Sequence, residues 1–187
     1  MQPCAHDLET PSPWIVRWAG AIRAGGRVLD VACGKGRHLR YLASLGLAVV
    51  GVDRDPQAPV ALAGLRGAEV RVADIEGGSW PFAPEEFDGV VVTNYLHRPL
   101  FPDLVAALRP GGVLVYETFA RGNERYGRPS NPDFLLEPGE LLRRVEPLRV
   151  IGFEEGLVSS PKQALIQRIC AVRNGGGSSE AQVIALK

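Results

Sequence analysis

The sequence predicts an α/β fold in which a doubly wound, mostly parallel sheet is covered by helices. Five short apolar runs rich in valine each end in a polar residue, and these residues are Asp30, Asp53, Asp74, Asn94 and Glu117. They follow one another at intervals of 23, 21, 20 and 23 residues, which fits one strand, one helix and two turns. The runs show little polar alternation, as expected of parallel strands buried on both faces.

The first apolar run reaches Asp30 and then turns through Gly34 and Gly36 into a helix. Glycine has no Cβ, so the backbone can approach a ligand closely and adopt a positive φ. The start of the helix offers unpaired N–H groups and the positive end of its dipole to an anionic group. Asp30 offers a carboxylate to a cationic or hydroxyl group. The turn therefore predicts a ligand of mixed charge.

Two helices are predicted between the first three strands. Residues 37–45 carry apolar side chains at helical spacing, and Gly46 follows where a helix commonly ends. Asp55 precedes a proline, a pattern typical of an N-cap, and the helix that it begins is predicted to end near Gly67.

The remaining elements are predicted on either side of this region. An amphipathic helix is expected over residues 13–23, and two more over residues 102–108 and 138–145. Residues 148–153 and 164–172 have the character of strands, and their connection is short enough for an antiparallel pair at one end of the sheet. If the first five strands are parallel, their polar end residues line the carboxyl edge, where open α/β sheets bind ligands.

Composition narrows the possible functions. The 187 residues are 45% hydrophobic, enough for one domain with a substantial core. The 21 basic and 21 acidic side chains cancel, so no broad basic field favours nucleic-acid binding. No apolar stretch reaches ~18 residues, so no membrane partner is expected.

Domain organisation and location are also indicated by composition. Residues 1–174 are expected to form the single domain, and residues 175–187 a flexible tail that begins with a Gly-Ser stretch. The three cysteines are scattered and give neither a disulfide framework nor a metal site, and Cys4 with His6 is not expected to bind metal. Since the first residues also lack the character of a signal peptide, a cytoplasmic location is expected.

These residues resemble the motifs of class I S-adenosylmethionine (SAM)-dependent methyltransferases. The first motif of that family, an acidic residue followed by alternating small residues, is matched by Asp30, Ala32, Gly34 and Gly36. The acids after strands two and three are matched by Asp53 and by Asp74 with Ile75. Residues 80–88 and 108–112 resemble the family's approach to strands four and five.

The resemblance covers residues 27–119 by motif. It implies a Rossmann-like sheet of about seven strands whose C-terminal strand is antiparallel, with SAM as the cofactor. It also implies in-line methyl transfer to an unidentified acceptor. The nearest subgroup contains small-molecule enzymes such as the tellurite-resistance type, so a small-molecule substrate is expected, with the protein a monomer or homodimer.

At the methionine end of SAM, the resemblance implies that Gly34 and Gly36 let the backbone meet the cofactor. Asp30 would lie near the SAM amino group, and its alternative is to cap the following turn. Ala32 stands where the family most often has glycine, and we expect the extra methyl group to be tolerated.

At the nucleoside end, the resemblance implies that Asp53 accepts hydrogen bonds from both ribose hydroxyls, which suits a group with two oxygens. Arg54 would flank the adenine. Asp74 would accept from the adenine amino group, while Ile75 offers an N–H and an apolar face. The alternative for Asp74 is a turn aspartate.

Residues 94–97 follow the fourth strand, where the reacting methyl is expected. Asn94 is predicted to contact the cofactor and Tyr95 the substrate. His97 is a candidate general base because the pKa of histidine is near neutrality. A solvated or core-edge histidine is the alternative for His97, as a structural role is for His38.

Residues 120–138 form a long segment without clear periodicity, and such segments are often lids or binding loops. Arg121 and Tyr126 on this segment, with Glu117 before it, are predicted to bind an anionic or aromatic substrate. A solvated loop is the alternative.

Three other functions compete with a small-molecule methyltransferase. A nicotinamide-dependent oxidoreductase also uses a glycine turn, but its third glycine is replaced here by Leu39. A non-catalytic SAM-binding protein and an RNA or protein methyltransferase stay open, although residues 94–96 lack the Pro-Pro-aromatic motif of base-amino methylators.

Overall fold

The computed structural model describes residues 10–175, and seven strands form one sheet at their centre. In chain order the strands are β1 Arg27–Val31, β2 Ala48–Asp53, β3 Glu69–Val72, β4 Phe87–Thr93, β5 Leu108–Phe119, β6 Leu148–Val158 and β7 Ala164–Arg173. Their spatial order is β3-β2-β1-β4-β5-β7-β6. Strands β1 to β5 pair in parallel, and β7 is antiparallel to both β5 and β6. The predicted mostly parallel sheet with an antiparallel last strand is confirmed.

Five α-helices accompany the sheet: α1 Pro13–Trp18, α2 Arg37–Ser44, α3 Ala58–Ala61, α4 Phe101–Ala107 and α5 Glu140–Arg144. Successive side chains of a strand point to opposite faces, so Val28 and Leu29 of β1 belong to two different apolar clusters. The Val28 cluster includes residues of α1, α2 and α3, and the Leu29 cluster includes residues of α4 and α5. The sheet is therefore covered on both faces, as the doubly wound prediction requires.

The chain order places a topological switch at β1. Strand β1 pairs with β2 on one side and with β4 on the other, and the chain leaves β1 towards β2 but leaves β4 towards β5, in the opposite direction. The carboxyl ends of β1 and β4 consequently border a crevice, which is where open α/β sheets bind ligands. Register places Val31 opposite Val52 and Val92, which brings the loops after all three strands together.

Several element boundaries differ from the prediction. The helix expected after Asp55 is confined to α3, and its continuation is broken up because Gly64 and Gly67 disfavour helix. Helix α5 begins at Glu140 rather than 138 because Gly139 has a φ of +63°. Gly46 has a φ of +80° beyond α2, as expected of a helix end.

The first nine residues, with Cys4 and His6, and residues 176–187 lie outside the described part of the chain. The predicted C-terminal tail therefore stays a prediction. Within residues 10–175, no helix is long and apolar enough to span a bilayer. In the same range, no group of three His, Cys, Asp or Glu side chains is placed to hold a metal ion.

Candidate functional site

Two cavities open at the carboxyl edge of the sheet, and both are lined by Ala32, Asn94 and Phe119. The smaller cavity has a volume of about 430 Å³ and the larger about 650 Å³. Both volumes lie within the range of small-molecule sites. Because they share three lining residues, the cavities adjoin one another and can hold two ends of one elongated ligand.

The smaller cavity gathers side chains from the ends of three strands. Besides the three shared residues, its wall includes the predicted site residues Asp53, Arg54, Asp74, Ile75 and Tyr95. The parallel register of β1, β2 and β3 is what places these positions at one edge. The structure therefore brings together the four residues assigned to the nucleoside end of a cofactor, whereas Tyr95, predicted to contact the substrate, lines this same cavity and not the larger one.

Asp53 is held in one orientation by two backbone donors. The Gly34 N–H donates to its Oδ2 at 2.7 Å, and the Asp55 N–H donates to its Oδ1 at 2.9 Å. A carboxylate has about four acceptor sites, so each oxygen can accept another hydrogen bond. The side chain is half-buried at the cavity wall, where it can receive a pair of adjacent hydroxyls.

Asp74 stabilises a turn and also lines the smaller cavity. Its Oδ1 accepts from the N–H groups of Glu76 and Gly77, each at 3.0 Å, in a tight turn after β3. These donors stabilise the charged form and lower the pKa of the exposed carboxyl. The same side chain lines the smaller cavity, where it offers acceptor capacity to a donor such as an exocyclic amine.

The two glycines of the first loop have different environments. Gly34 has a φ of +52°, and a Cβ built on it would meet nothing within 4 Å, so its surface faces open space at the larger cavity. Gly36 has a φ of +76°, but a Cβ there would lie 2.3 Å from Leu62 Cδ2. Gly36 therefore permits packing against the segment after α3 and is not among the residues that line either cavity.

Ala32 adopts a φ of +54°, the left-handed region that glycine occupies most easily. This conformation costs an alanine about 1–2 kcal/mol, which a glycine would not have to pay. Glycine also raises the conformational entropy of the unfolded chain, and this destabilises the folded protein by about 0.4–1 kcal/mol. We expect Ala32→Gly to raise the free energy of unfolding by about 0.5 kcal/mol, as the difference of these terms. Urea denaturation of both proteins measures it, and a marked loss of stability in the glycine variant would contradict the strain.

Asp30 and His38 form a buried pair beneath the loop. Asp30 is 1% exposed, its Oδ2 has no hydrogen-bond partner, and it lies 3.8 Å from His38 Nδ1. Burial raises the pKa of Asp30 to about 8, with Arg37 opposing the shift and Asp53 adding to it. Burial, and then Arg37, lower the pKa of His38 to about 3. At neutral pH the carboxyl is therefore largely protonated and the imidazole is neutral.

Hydrogen bonds fix the tautomer of this neutral imidazole. The Ser12 N–H donates to His38 Nε2 at 3.2 Å, so the ring proton resides on Nδ1. Nδ1 lies 3.4 Å from Thr93 Oγ1. His38 lines the larger cavity although it is only 2% exposed. The structural role considered for His38 is thus accompanied by a position at the cavity wall.

The buried pair predicts a pH dependence of stability. The folded-state pKa of Asp30 exceeds its ordinary value of 3.8, so its contribution is full at low pH and is lost as pH rises towards 8. His38, lowered from 6.5, contributes fully above that pH and loses its contribution as pH falls towards 3. Above pH 6.5, Asp30 alone of the pair titrates.

We therefore expect the wild-type free energy of unfolding to decrease between pH 6.5 and 8, by at most about 1.4 kcal/mol per pH unit. Asp30→Asn places a neutral amide in the same space and should flatten this slope. Urea denaturation at several pH values measures both proteins. Identical slopes for the two would show that Asp30 does not titrate in this range.

Glu117 faces the larger cavity and is held from two sides. The Ser12 hydroxyl donates to its Oε1 at 2.8 Å, and Arg168 Nη1 lies 3.4 Å from its Oε2. Tyr126 lines the same cavity, so two of the predicted substrate residues meet there. Asn94 stands at the junction of the cavities with a φ of +54°, and such strain is common at functional sites.

Four predicted residues line neither cavity, namely Asp30 and Gly36, described above, and His97 and Arg121. His97 lines neither cavity, so its assignment as a base stays a prediction without support from the geometry. Arg121 donates to Glu137 Oε1 at 2.7 Å and lines a separate surface cavity of about 540 Å³. Its guanidinium is engaged in that ion pair, so the geometry does not support substrate binding by Arg121.

The larger cavity also contains residues that the sequence analysis did not assign to the site. They come from the N-terminal segment, from the connection between β6 and β7, and from β7 itself, and include Ser12, Lys162 and Arg168. No local pattern marks these positions, because only the tertiary fold brings segments so distant in sequence to the same edge.

The fold is the Rossmann-like fold seen in SAM-dependent methyltransferases of known structure. Residues 28–112 match the family model described as "Methyltransferase domain". A crystal structure of a SAM-dependent methyltransferase from Methanosarcina mazei has the same fold, with a TM-score of 0.71 and 18% identity over 89% of this chain and 100% of that one.

Curated relatives share more sequence over shorter stretches. A tRNA U34 carboxymethyltransferase from Methylococcus capsulatus is 34% identical over 170 residues, covering 73% of this chain and 50% of that protein. A ubiquinone biosynthesis O-methyltransferase from Pseudomonas putida is 32% identical over 133 residues, covering 65% of this chain and 56% of that protein. The chain thus spans about half the length of these relatives.

SAM, the cofactor of this fold class, fits the residues present. The Asp30 Oδ2 is buried beneath the loop without a hydrogen-bond partner, but Asp30 lines neither cavity, so its contact with the SAM amino group stays a prediction. The open surface at Gly34 leaves room for a ligand against the backbone. At the other end, the Tyr95 hydroxyl is buried and unpaired, and burial followed by the nearby Glu76 raises its pKa. An open backbone surface at one end and an unsatisfied polar atom at the other fit such an elongated ligand.

Proposed function

We propose that the protein binds SAM across the two cavities and transfers its methyl group to a small molecule in the larger one. The junction of the cavities at Ala32, Asn94 and Phe119 carries this proposal. A nucleoside in the smaller cavity leaves its reactive end at that junction. The larger cavity then provides the space for an acceptor beside it.

When bound, SAM supplies a methyl group on a positively charged sulfur, which is already a good electrophile. The protein has to align the acceptor atom with the carbon–sulfur bond, and such orientation can contribute ~7–11 kcal/mol. Asp53 anchors the nucleoside end, and the loop at Gly34 the methionine end. The walls of the larger cavity orient the acceptor and exclude water.

A general base is required only if the acceptor must lose a proton. His38 is neutral but uses Nε2 to accept from the Ser12 N–H, and Glu117 is occupied by Ser12 and Arg168. We therefore propose an acceptor that is already nucleophilic at neutral pH, such as an ionised oxygen or a soft sulfur. His97 is retained as the sequence-based candidate for a base.

A small acceptor is supported by the shape of the site, because the acceptor space is a cavity bounded by several loops. The O-methyltransferase relative is named for ubiquinone biosynthesis, in line with this proposal. The tRNA relative keeps RNA as the second candidate. Membership of the tellurite-resistance-like subgroup, a cytoplasmic location and a monomeric or homodimeric state are parts of the same proposal.

The test is turnover of methyl-labelled SAM with pools of small acids, phenols and thiols, and separately with bulk tRNA. We expect label to enter a small molecule, with stoichiometric formation of S-adenosylhomocysteine (SAH). Label in tRNA alone would favour the RNA alternative. SAM binding without turnover in any pool would favour a non-catalytic SAM-binding protein.

A further inference from the structure

The larger cavity is strongly cationic in a chain whose formal net charge is zero. Among the described residues, its ionisable wall contains five cations, Lys35, Arg37, Arg128, Lys162 and Arg168, and a single carboxylate, Glu117. That carboxylate is already paired with Arg168. Arg168 also pairs with Glu154, so the positive excess of the wall lies with its other cations.

Position divides these cations between the two ends of the cavity. Lys35 and Arg37 follow Gly34 at the start of α2, beside the proposed position of the cofactor's methionine end. Arg128 and Lys162 come from two loops on the C-terminal side. Neither of these two side chains forms an ion pair within residues 10–175.

A buried asparagine brings these two loops together. Asn123 is 1% exposed, and its Nδ2 donates to Pro129 O at 3.2 Å while its Oδ1 accepts from the Leu165 N–H at 3.1 Å. A Cβ built on Gly127 would lie 3.3 Å from Lys162 Nζ, so the ammonium lies against the residue that precedes Arg128. The fold thus places two like charges on the wall of one cavity, and an anion bound between them would relieve their repulsion.

We propose that Arg128 and Lys162 bind the anionic group of the methyl acceptor, a small organic carboxylate or phosphate with an apolar body. This rests on the proposed function, because it names the substrate class of the same site. Tyr126 and Phe119 line the cavity beside the two cations and supply contacts for the apolar part. Cations that recognise a carboxylate or phosphate form its strongest hydrogen bonds.

Benzoate and its neutral isostere benzamide are the probes, titrated by NMR with and without SAH. We expect wild-type protein to bind benzoate at least about tenfold more tightly than benzamide. The binding free energy of one hydrogen bond to a charged group is large enough to give that ratio of affinities. Arg128→Gln and Lys162→Gln should each reduce benzoate affinity by about the same factor. Inorganic phosphate serves as a second anion and should show the same losses.

Arg125→Gln is the matched control, because Arg125 is an exposed cation on the same loop that does not line the cavity. It should bind benzoate as the wild type does, and all variants should bind SAH normally. Equal binding of benzoate and benzamide, or unchanged benzoate binding in both cavity variants, would overturn the proposal. The proposal would also be overturned if an RNA hairpin displaced benzoate at a lower concentration than inorganic phosphate does.

SAH binding keeps this inference separate from the proposed function. If wild-type protein fails to bind SAH, the proposed function fails, whereas the benzoate titration without SAH still tests the cation pair. If SAH binds and benzoate shows no charge preference, only the inference about the acceptor fails.

Discussion

Asp53→Ala is expected to weaken SAM binding by more than about 100-fold, because two hydrogen bonds to a charged group are lost at ~1.5–3 kcal/mol each. The variant also loses the acceptor that the Gly34 N–H uses at 2.7 Å, so the loop at the methionine end loses one of its hydrogen bonds to β2. Both effects act on the same ligand. Titration calorimetry with SAM or SAH measures the change in affinity directly.

Asp55→Ala is the matched control for this prediction. Asp55 is exposed, and its Oδ1 accepts from the Gln57 N–H at 2.9 Å before α3. The N-cap of α3 is Gln57 and not Asp55, so the replacement removes a turn hydrogen bond, which should cost about 1 kcal/mol of stability and leave SAM affinity nearly unchanged. If Asp53→Ala binds SAM as tightly as Asp55→Ala does, the ribose contact assigned to Asp53 does not exist.

Gly36→Ala is expected to lower the free energy of unfolding by about 2–5 kcal/mol, combining left-handed strain with overpacking. The added Cβ would lie 2.3 Å from Leu62 Cδ2 at a φ of +76°. Gly34→Ala carries only the strain, about 1–2 kcal/mol, because its Cβ meets no protein atom within 4 Å. Urea denaturation should therefore separate the two glycines clearly.

Gly36→Ala should lose more stability, but Gly34→Ala should lose more affinity for SAH. The Cβ of Gly34→Ala enters the space proposed for the methionine end, so this variant should stay folded and bind SAH much more weakly. Gly36→Ala should retain affinity to the extent that it remains folded at low temperature. Equal stability losses in the two variants, or full SAH affinity in Gly34→Ala, would contradict the separate roles given to these residues.

The sequence predicted the parallel part of the sheet and its carboxyl edge because local rules govern both. Valine-rich runs at regular intervals specify buried parallel strands, and the residue that ends each run falls at one edge by topology alone. The positions of Asp53 and Asp74 were predictable from this rule. The helix after Asp55 was overestimated because its capping signal is strong, while Gly64 and Gly67 disfavour helix beyond α3.

The acceptor side of the site could not be predicted in the same way. Ser12, Arg128 and Lys162 are distant in sequence and meet only through long-range packing, including the hydrogen bonds of Asn123. Arg121 has the same residue type as Arg128 on the same loop, yet the fold pairs it with Glu137. Which arginine reaches the cavity depends on loop conformation, which periodicity does not specify.

A crystal structure of the protein with SAH tests the central claim most directly. The account predicts adenosine in the smaller cavity, with both ribose hydroxyls at about 3 Å from the Asp53 carboxylate oxygens. It also predicts the SAH amino group close to Asp30 and its sulfur at the junction beside Asn94. SAH bound at another surface, or a ribose that makes no contact with Asp53, would contradict the account.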